Sequence, residues 1–137
     1  MKITEVPFSK LIGIKVSDDG DELILPFSDH VKNHLGTFHA GAQFSLMETA
    51  SGTFLQQQFP ELVEKVIPVL RSAEAKYKKP ASSDLKAFAS VGKKEIERFK
   101  QQFEMKGRGI ISVSVELIDK QGTVVSNAVY EWFIQTL

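Results

Sequence analysis

At 137 residues the chain has the length of one domain, read here as spanning 1–137. It is long enough to bury about two-thirds of its unfolded surface without covalent staples. It has no cysteine, which excludes a disulfide framework, thiol catalysis and thiolate metal sites. Seventeen basic residues balance seventeen acidic ones. That balance argues against nucleic-acid and membrane-surface binding, which draw on excess positive charge.

The first residues, Met1 to Pro7, carry no apolar core of signal-peptide length, and no apolar run approaches membrane-spanning length. The expectation is a soluble cytoplasmic protein. Pro7 to Ile12 predicts a short helical turn stopped by Gly13. Ile14–Val16 and Glu22–Leu25 flank Asp18-Asp19-Gly20-Asp21, which is turn chemistry, so two strands are expected there. A polar stretch from Ser28 to His39 leads into an apolar helix over about 40–57, and Pro60 closes that segment. Val66 to Lys78 is rich in β-branched residues and precedes Pro80. Leu85–Val91 and Ile110–Leu117 alternate apolar and polar residues, as strands with one buried face do. Between them, Ile96, Phe99 and Phe103 form the apolar stripe of an amphipathic helix ending at Gly107. Its opposite, charged face reads as simply solvated. Asp119-Lys120-Gln121-Gly122 signals a hairpin, with a long strand returning over 123–133.

The chemistry concentrates in residues 33–52. A loop with Asn33, Gly36, Thr37 and His39 runs into a helix whose interior holds one carboxylate, Glu48. On that helix Gly41, Phe44, Glu48, Gly52 and Leu55 share one stripe. Phe44, Leu46, Met47, Ala50 and Phe54 read as core. A carboxylate in apolar surroundings has a raised pKa, suited to general acid or base work near neutrality. Its structural reading is a pair with Arg71 or a lysine, or a helix that exposes that face. Free N–H groups at His39, Ala40 and Gly41 would form an oxyanion site at the helix start, and Asn33 could add a side-chain hydrogen bond. His30, His34 and His39 lack an acidic partner at ligand spacing, so no metal is expected. Neither a serine-hydrolase elbow nor a nucleotide-binding glycine loop is present.

Asn33, Gly36, Thr37, His39, Ala40, Gly41, Phe44, Glu48 and Ala50 resemble the segment Asn-x-x-Gly-Thr-x-His-Gly-Gly, then Phe, then Asp or Glu before x-Ala, of hotdog-fold acyl-CoA thioesterases. The likeness is to the phenylacetate-pathway type and, above all, to an uncharacterised thioesterase-like group with an extra helix before the last two strands. Tyr77-Lys78-Lys79-Pro80-Ala81, Asp84-Leu85 and Gly107-Arg108-Gly109 with Asp119, Gly122 and Ala128 extend the likeness over about 10–135. The resemblance implies an α+β hotdog fold, an antiparallel sheet of about six strands wrapped around a central helix, with one peripheral helix. It implies a homodimer or dimer of dimers with sites at the subunit interface, and no metal or organic cofactor. It implies Glu48 as general base or nucleophile, the Ala40 N–H as carbonyl donor, Asn33 from the opposing subunit as an orienting group, and His39 as a loop anchor. Gly36, Gly41, Ser72, Lys79, Pro80 and Arg108 would contact the acyl-CoA substrate. Ala40 replaces the first glycine of the usual pair, and no serine or threonine clearly matches the family's auxiliary residue on the third strand; Leu70 falls nearest, with Ser72 two residues on. Two alternatives stay open: a non-catalytic acyl-CoA or fatty-acyl binder, and a hydratase or dehydratase using His34 with Glu48.

Overall fold

The computed structural model describes residues 3–20 and 22–137; Met1 and Lys2 of the N-terminal segment and Asp21 of the first expected hairpin turn lie outside them. Six strands form one antiparallel sheet: β1 (Lys15–Val16), β2 (Leu23–Leu25), β3 (Val66–Tyr77), β4 (Leu85–Ser90), β5 (Arg108–Ile118) and β6 (Val124–Thr136). Their order across the sheet is β1-β2-β4-β5-β6-β3. Among the described residues three α-helices accompany it, α1 (Pro7–Ile12), α2 (Ala40–Gln58) and α3 (Lys93–Lys106), with short 3-10 turns at Ile3–Glu5, Asp29–Val31 and Pro60–Leu62. Each expected strand and helix is present, with ends shifted by a few residues.

Alternation decides which face meets α2. Ile111, Val113, Val115 and Leu117 of β5 and Ala128, Tyr130, Trp132 and Ile134 of β6 are buried. They share one core with Ala42, Leu46, Met47 and Ala50 of α2. Each large apolar side chain so buried contributes about 1.5–3 kcal/mol, so the sheet closes around the helix. Phe44 and Phe54 are half-buried at the margin of this core. The hydroxyls of Ser45, Thr49 and Thr53 bond back to carbonyls one turn earlier, at 2.7–2.9 Å, which lets a helix with little amphipathic contrast run through the centre. Trp132 Nε1 donates to Ser51 Oγ at 2.9 Å and ties helix to sheet.

β5 extends beyond β4, which pairs with it only from Ser114 to Ile118. α3 covers the remainder. Gln102 Oε1 accepts from the Ile110 N–H (3.1 Å), Arg98 Nη2 donates to the Ile110 carbonyl (3.0 Å), and Glu95 Oε2 accepts from the Ser112 N–H (2.8 Å). Side chains flanking the apolar stripe thus stand in for a missing strand, while Lys94, Glu97, Lys100 and Glu104 on the opposite face are exposed, as expected. Phe99 lies so close over Gly109 that a Cβ there would come within 3.0 Å of its ring.

β3 is the opposite case. It is a twelve-residue edge strand, paired on one side only, and no residue along it is fully buried. Arg71 forms a bulge between Leu70, opposite Trp132, and Ser72, opposite Glu131. Because Trp132 faces the core and Glu131 faces away, the bulge turns Ser72 to the outer face of the sheet. No helix among the described residues is long and apolar enough to cross a membrane.

Candidate active site on the central helix

The loop before α2 is organised by Asn33. Its Oδ1 accepts from the N–H groups of Leu35 (2.9 Å) and Thr37 (3.0 Å), and its Nδ2 donates to Thr37 Oγ1 (2.9 Å) and the Phe38 carbonyl (3.3 Å). Gly36 closes the turn at φ 78°, a conformation that favours glycine. The Asn33 side chain is therefore committed to its own turn, whose backbone it fixes. Exposed His34 sits in that turn and makes no hydrogen bond to α2 among the described residues. His30 bonds Ser28 Oγ and the Ile12 carbonyl, so it braces α1.

His39 is the N-cap of α2. Its own N–H donates to the Val31 carbonyl (2.8 Å), and its Nδ1 accepts the Gly41 N–H (2.8 Å). This narrows the expected donor set. The His39 and Gly41 N–H groups are occupied, whereas the exposed Ala40 N–H has no acceptor among the described residues. A helix start concentrates positive potential, and here it leaves that donor facing outward.

Glu48 lies two turns further along α2. It is half-buried, and burial raises its pKa above the ordinary 4.5. It has no ion pair and no side-chain hydrogen bond among the described residues. Arg71, a candidate structural partner, instead stands over the Phe133 ring at 5.4 Å. The groups around Glu48 are aromatic. Tyr130 donates its O–H to the Phe44 carbonyl (2.7 Å), and its ring meets Phe44 edge-on at 5.3 Å. Burial, then the charges of Tyr77 and Glu48, push the Tyr130 phenol far above its usual value. It therefore stays a proton donor to the helix backbone, and Tyr77 from β3 completes the same environment.

The remaining expected residues separate. Lys79 and Pro80 follow β3 near the helix start: Lys78 and Lys79 N–H groups share the Val125 carbonyl (2.8 and 3.1 Å), and Ala81 accepts the Phe38 N–H (2.8 Å). Arg108 pairs with Gln135 at the other end of the sheet, and Ser72 faces outward. Sequence reasoning missed Gln43, 4% exposed, whose amide donates to the Phe38 carbonyl at 3.3 Å. A polar residue at a core-facing position of an apolar helix was its signal. No cluster of three potential metal ligands occurs among the described residues.

An antiparallel sheet wrapped around one long helix, with a capped loop at the helix start, defines the hotdog fold. Within that class, the chain belongs to a family described as a domain of unknown function, DUF4442, matched over residues 4–134. Its fold is shared with a probable thioesterase of Pseudomonas aeruginosa: TM-score 0.83, 22% identity, 98% of this chain and 91% of that one covered. A Bacillus halodurans protein solved with CoA matches with TM-score 0.70 and 25% identity, over 93% of this chain and 74% of that one. A thioesterase of Haemophilus influenzae gives TM-score 0.75 and 16% identity, over 98% and 87%. A comparison with curated protein sequences finds no match.

Proposed function

We propose that the protein hydrolyses acyl-CoA thioesters, with Glu48 as the reacting carboxylate and the Ala40 N–H as the donor to the thioester carbonyl. The observation that carries this reading is Glu48 itself: a half-buried carboxylate whose pKa burial raises, with no charge partner among the described residues. Burying such a group costs stability, and general-base work gives a reason to keep it. Glu48 would take a proton from water as the oxygen adds to the carbonyl carbon. The Ala40 N–H would hold the developing oxyanion. Collapse of the tetrahedral intermediate would break the C–S bond, release the CoA thiolate and leave the carboxylic acid. Direct attack by Glu48, through an anhydride that water then opens, uses the same groups. The thioesterases that share the fold, and the CoA held by the Bacillus halodurans protein, support the substrate class.

Ala40 and Glu48 are eight residues apart on one helix, which at 1.5 Å rise per residue is about 12 Å. A single carbonyl cannot contact both groups of one chain. The proposed site therefore joins Glu48 of one chain to Ala40 of a second, in a homodimer or a dimer of dimers. The one-sided β3 edge, with Ile67 51%, Val69 49% and Tyr77 44% exposed, offers the surface for that pairing. Asn33 and His39 would act as positioning residues. Lys76, Lys78 and Lys79, close to the helix start, would meet the CoA phosphates; Arg108, at the far end of the sheet, would not.

The test is thiol release from a panel of acyl-CoA thioesters by the parent and by Glu48→Gln. Release by the parent, lost in the variant, is the expected result. Equal release by both would overturn the mechanism.

A further inference from the structure

The face of α2 that carries Glu48 continues past Gly52 into an apolar cavity that the reaction itself does not use. Gly52, Leu55, Phe59, Leu62, Val66 and Trp132 are among its walls, no charged side chain among the described residues lines it, and its volume is about 100 Å³. Its far end is closely packed. Phe59, 3% exposed, packs against Phe99 of α3 at 5.1 Å between ring centroids. Phe99, 1% exposed, is itself seated over Gly109.

Resting on the thioesterase reading, we propose that this cavity receives the hydrocarbon tail of the acyl group, an unbranched chain of about nine to thirteen carbons. Phe59, buttressed by Phe99, sets the upper length. Two estimates bracket the length. From Glu48 to Phe59 the chain advances about 16 Å along the helix direction, and an extended hydrocarbon with ordinary C–C bonds advances about 1.25 Å per carbon, giving roughly thirteen carbons. By volume, a cavity of about 150 Å³ takes up one benzene, so the cavity beyond Gly52 holds roughly four carbons. The first turn from Glu48 to Gly52, about 6 Å, takes about five more, giving roughly nine. A charged or carboxylate-bearing acyl group would bury its charge here without a partner, so the cavity selects plain hydrocarbon. The helix added to the sheet thereby acts on substrate length, through the ring it holds behind Phe59.

The chain has one tryptophan, Trp132, and it lines this cavity. That permits a test independent of turnover. S-alkyl-CoA thioethers with four, eight, twelve and sixteen carbons have no carbonyl to hydrolyse. Followed by Trp132 emission, their affinity should rise about two- to fourfold per added methylene and level off at about nine to thirteen carbons, between the eight- and sixteen-carbon ligands. Phe59→Leu should move that plateau to chains two or three carbons longer. Gly52→Leu should end the rise at short chains, and it keeps the test decisive if Phe59→Leu does not fold. Affinity independent of length, with Trp132 emission unmoved, would overturn the proposal; so would a plateau unmoved by both variants. A flat series beside Glu48-dependent hydrolysis would defeat this assignment alone. Glu48-independent hydrolysis would defeat the reaction mechanism and leave the length series to be read by itself.

Discussion

Glu48 and Glu95 are both half-buried carboxylates on helices that lie against the same sheet, yet their surroundings treat them in opposite ways. On α3, the hydrogen bond from Arg98 holds the Glu95 carboxyl below its ordinary value, helped by the Ser112 N–H and opposed by burial. On α2, nothing offsets burial, and Glu48 is raised. Glu95 closes the exposed end of β5; Glu48 closes nothing. A partnered charge at a sheet edge is architecture. An unpartnered one on a helix face that leads into an apolar cavity is available for chemistry.

The two carboxylates should therefore fail in different assays. The largest effect is expected for Glu48→Gln, which keeps the shape but cannot accept a proton. Turnover should fall about a hundredfold or more, while thermal stability holds or rises because a buried charge is gone. A variant that instead unfolds would make Glu48 an anchor. Next comes Glu95→Ala, which orphans the Ser112 N–H and frees Arg98. It should cost about 1–3 kcal/mol, a fall of about 3–10 °C in melting temperature, with turnover changed by less than about twofold. Large loss of activity at unchanged stability would erase the distinction.

Acid sharpens the same contrast. The folded value of Glu95 is lowered, so its stabilisation is complete above the ordinary 4.5 and is lost as pH falls through that lower value. The folded value of Glu48 is raised, so its burial cost applies above that value and is relieved as pH falls toward 4.5. The stability gap between Glu48→Gln and the parent should accordingly narrow from neutral pH downward, as followed by denaturant melts. A gap that widens would contradict the sign. The smallest effect is expected for Lys79→Glu: a rise of about fivefold in KM for acyl-CoA, with little change in kcat, diminishing in high salt. Salt-independent, unchanged kinetics would remove Lys79 from the CoA surface.

The regular parts of the fold were legible because they repeat. The alternation through Ile111, Val113, Val115 and Leu117 and the loop-to-helix change at Ala40 each state their structure several times over. What escaped depends on partners distant in sequence. The Arg71 bulge exists because two residues of β3 oppose one step of β6, so the alternation of the strand alone does not show that Leu70 and Ser72 lie on opposite faces. The work of Glu95, Arg98 and Gln102 depends on β5 outrunning β4. Their spacing on the side of Phe99 could have shown a polar contact face, but apolar periodicity alone does not weigh polar residues. At the site, the residue types of Asn33 and His39 were visible, but their hydrogen bonds were not. Only those bonds show that His39 occupies the Gly41 N–H and leaves that of Ala40 open.

The most direct measurement is complementation between two damaged chains. Ala40→Pro deletes the single N–H at the first position of α2, where proline is well accommodated. His39, at φ −64° and ψ 136°, already has the backbone that a following proline requires. Ala40→Pro and Glu48→Gln chains should each be nearly inactive alone. Dissociated and reassociated together, half of the dimers would be mixed, each with one intact site, and thiol release should return to about a quarter of the parental value. A mixture no more active than the sum of its parts would contradict a site shared between two chains.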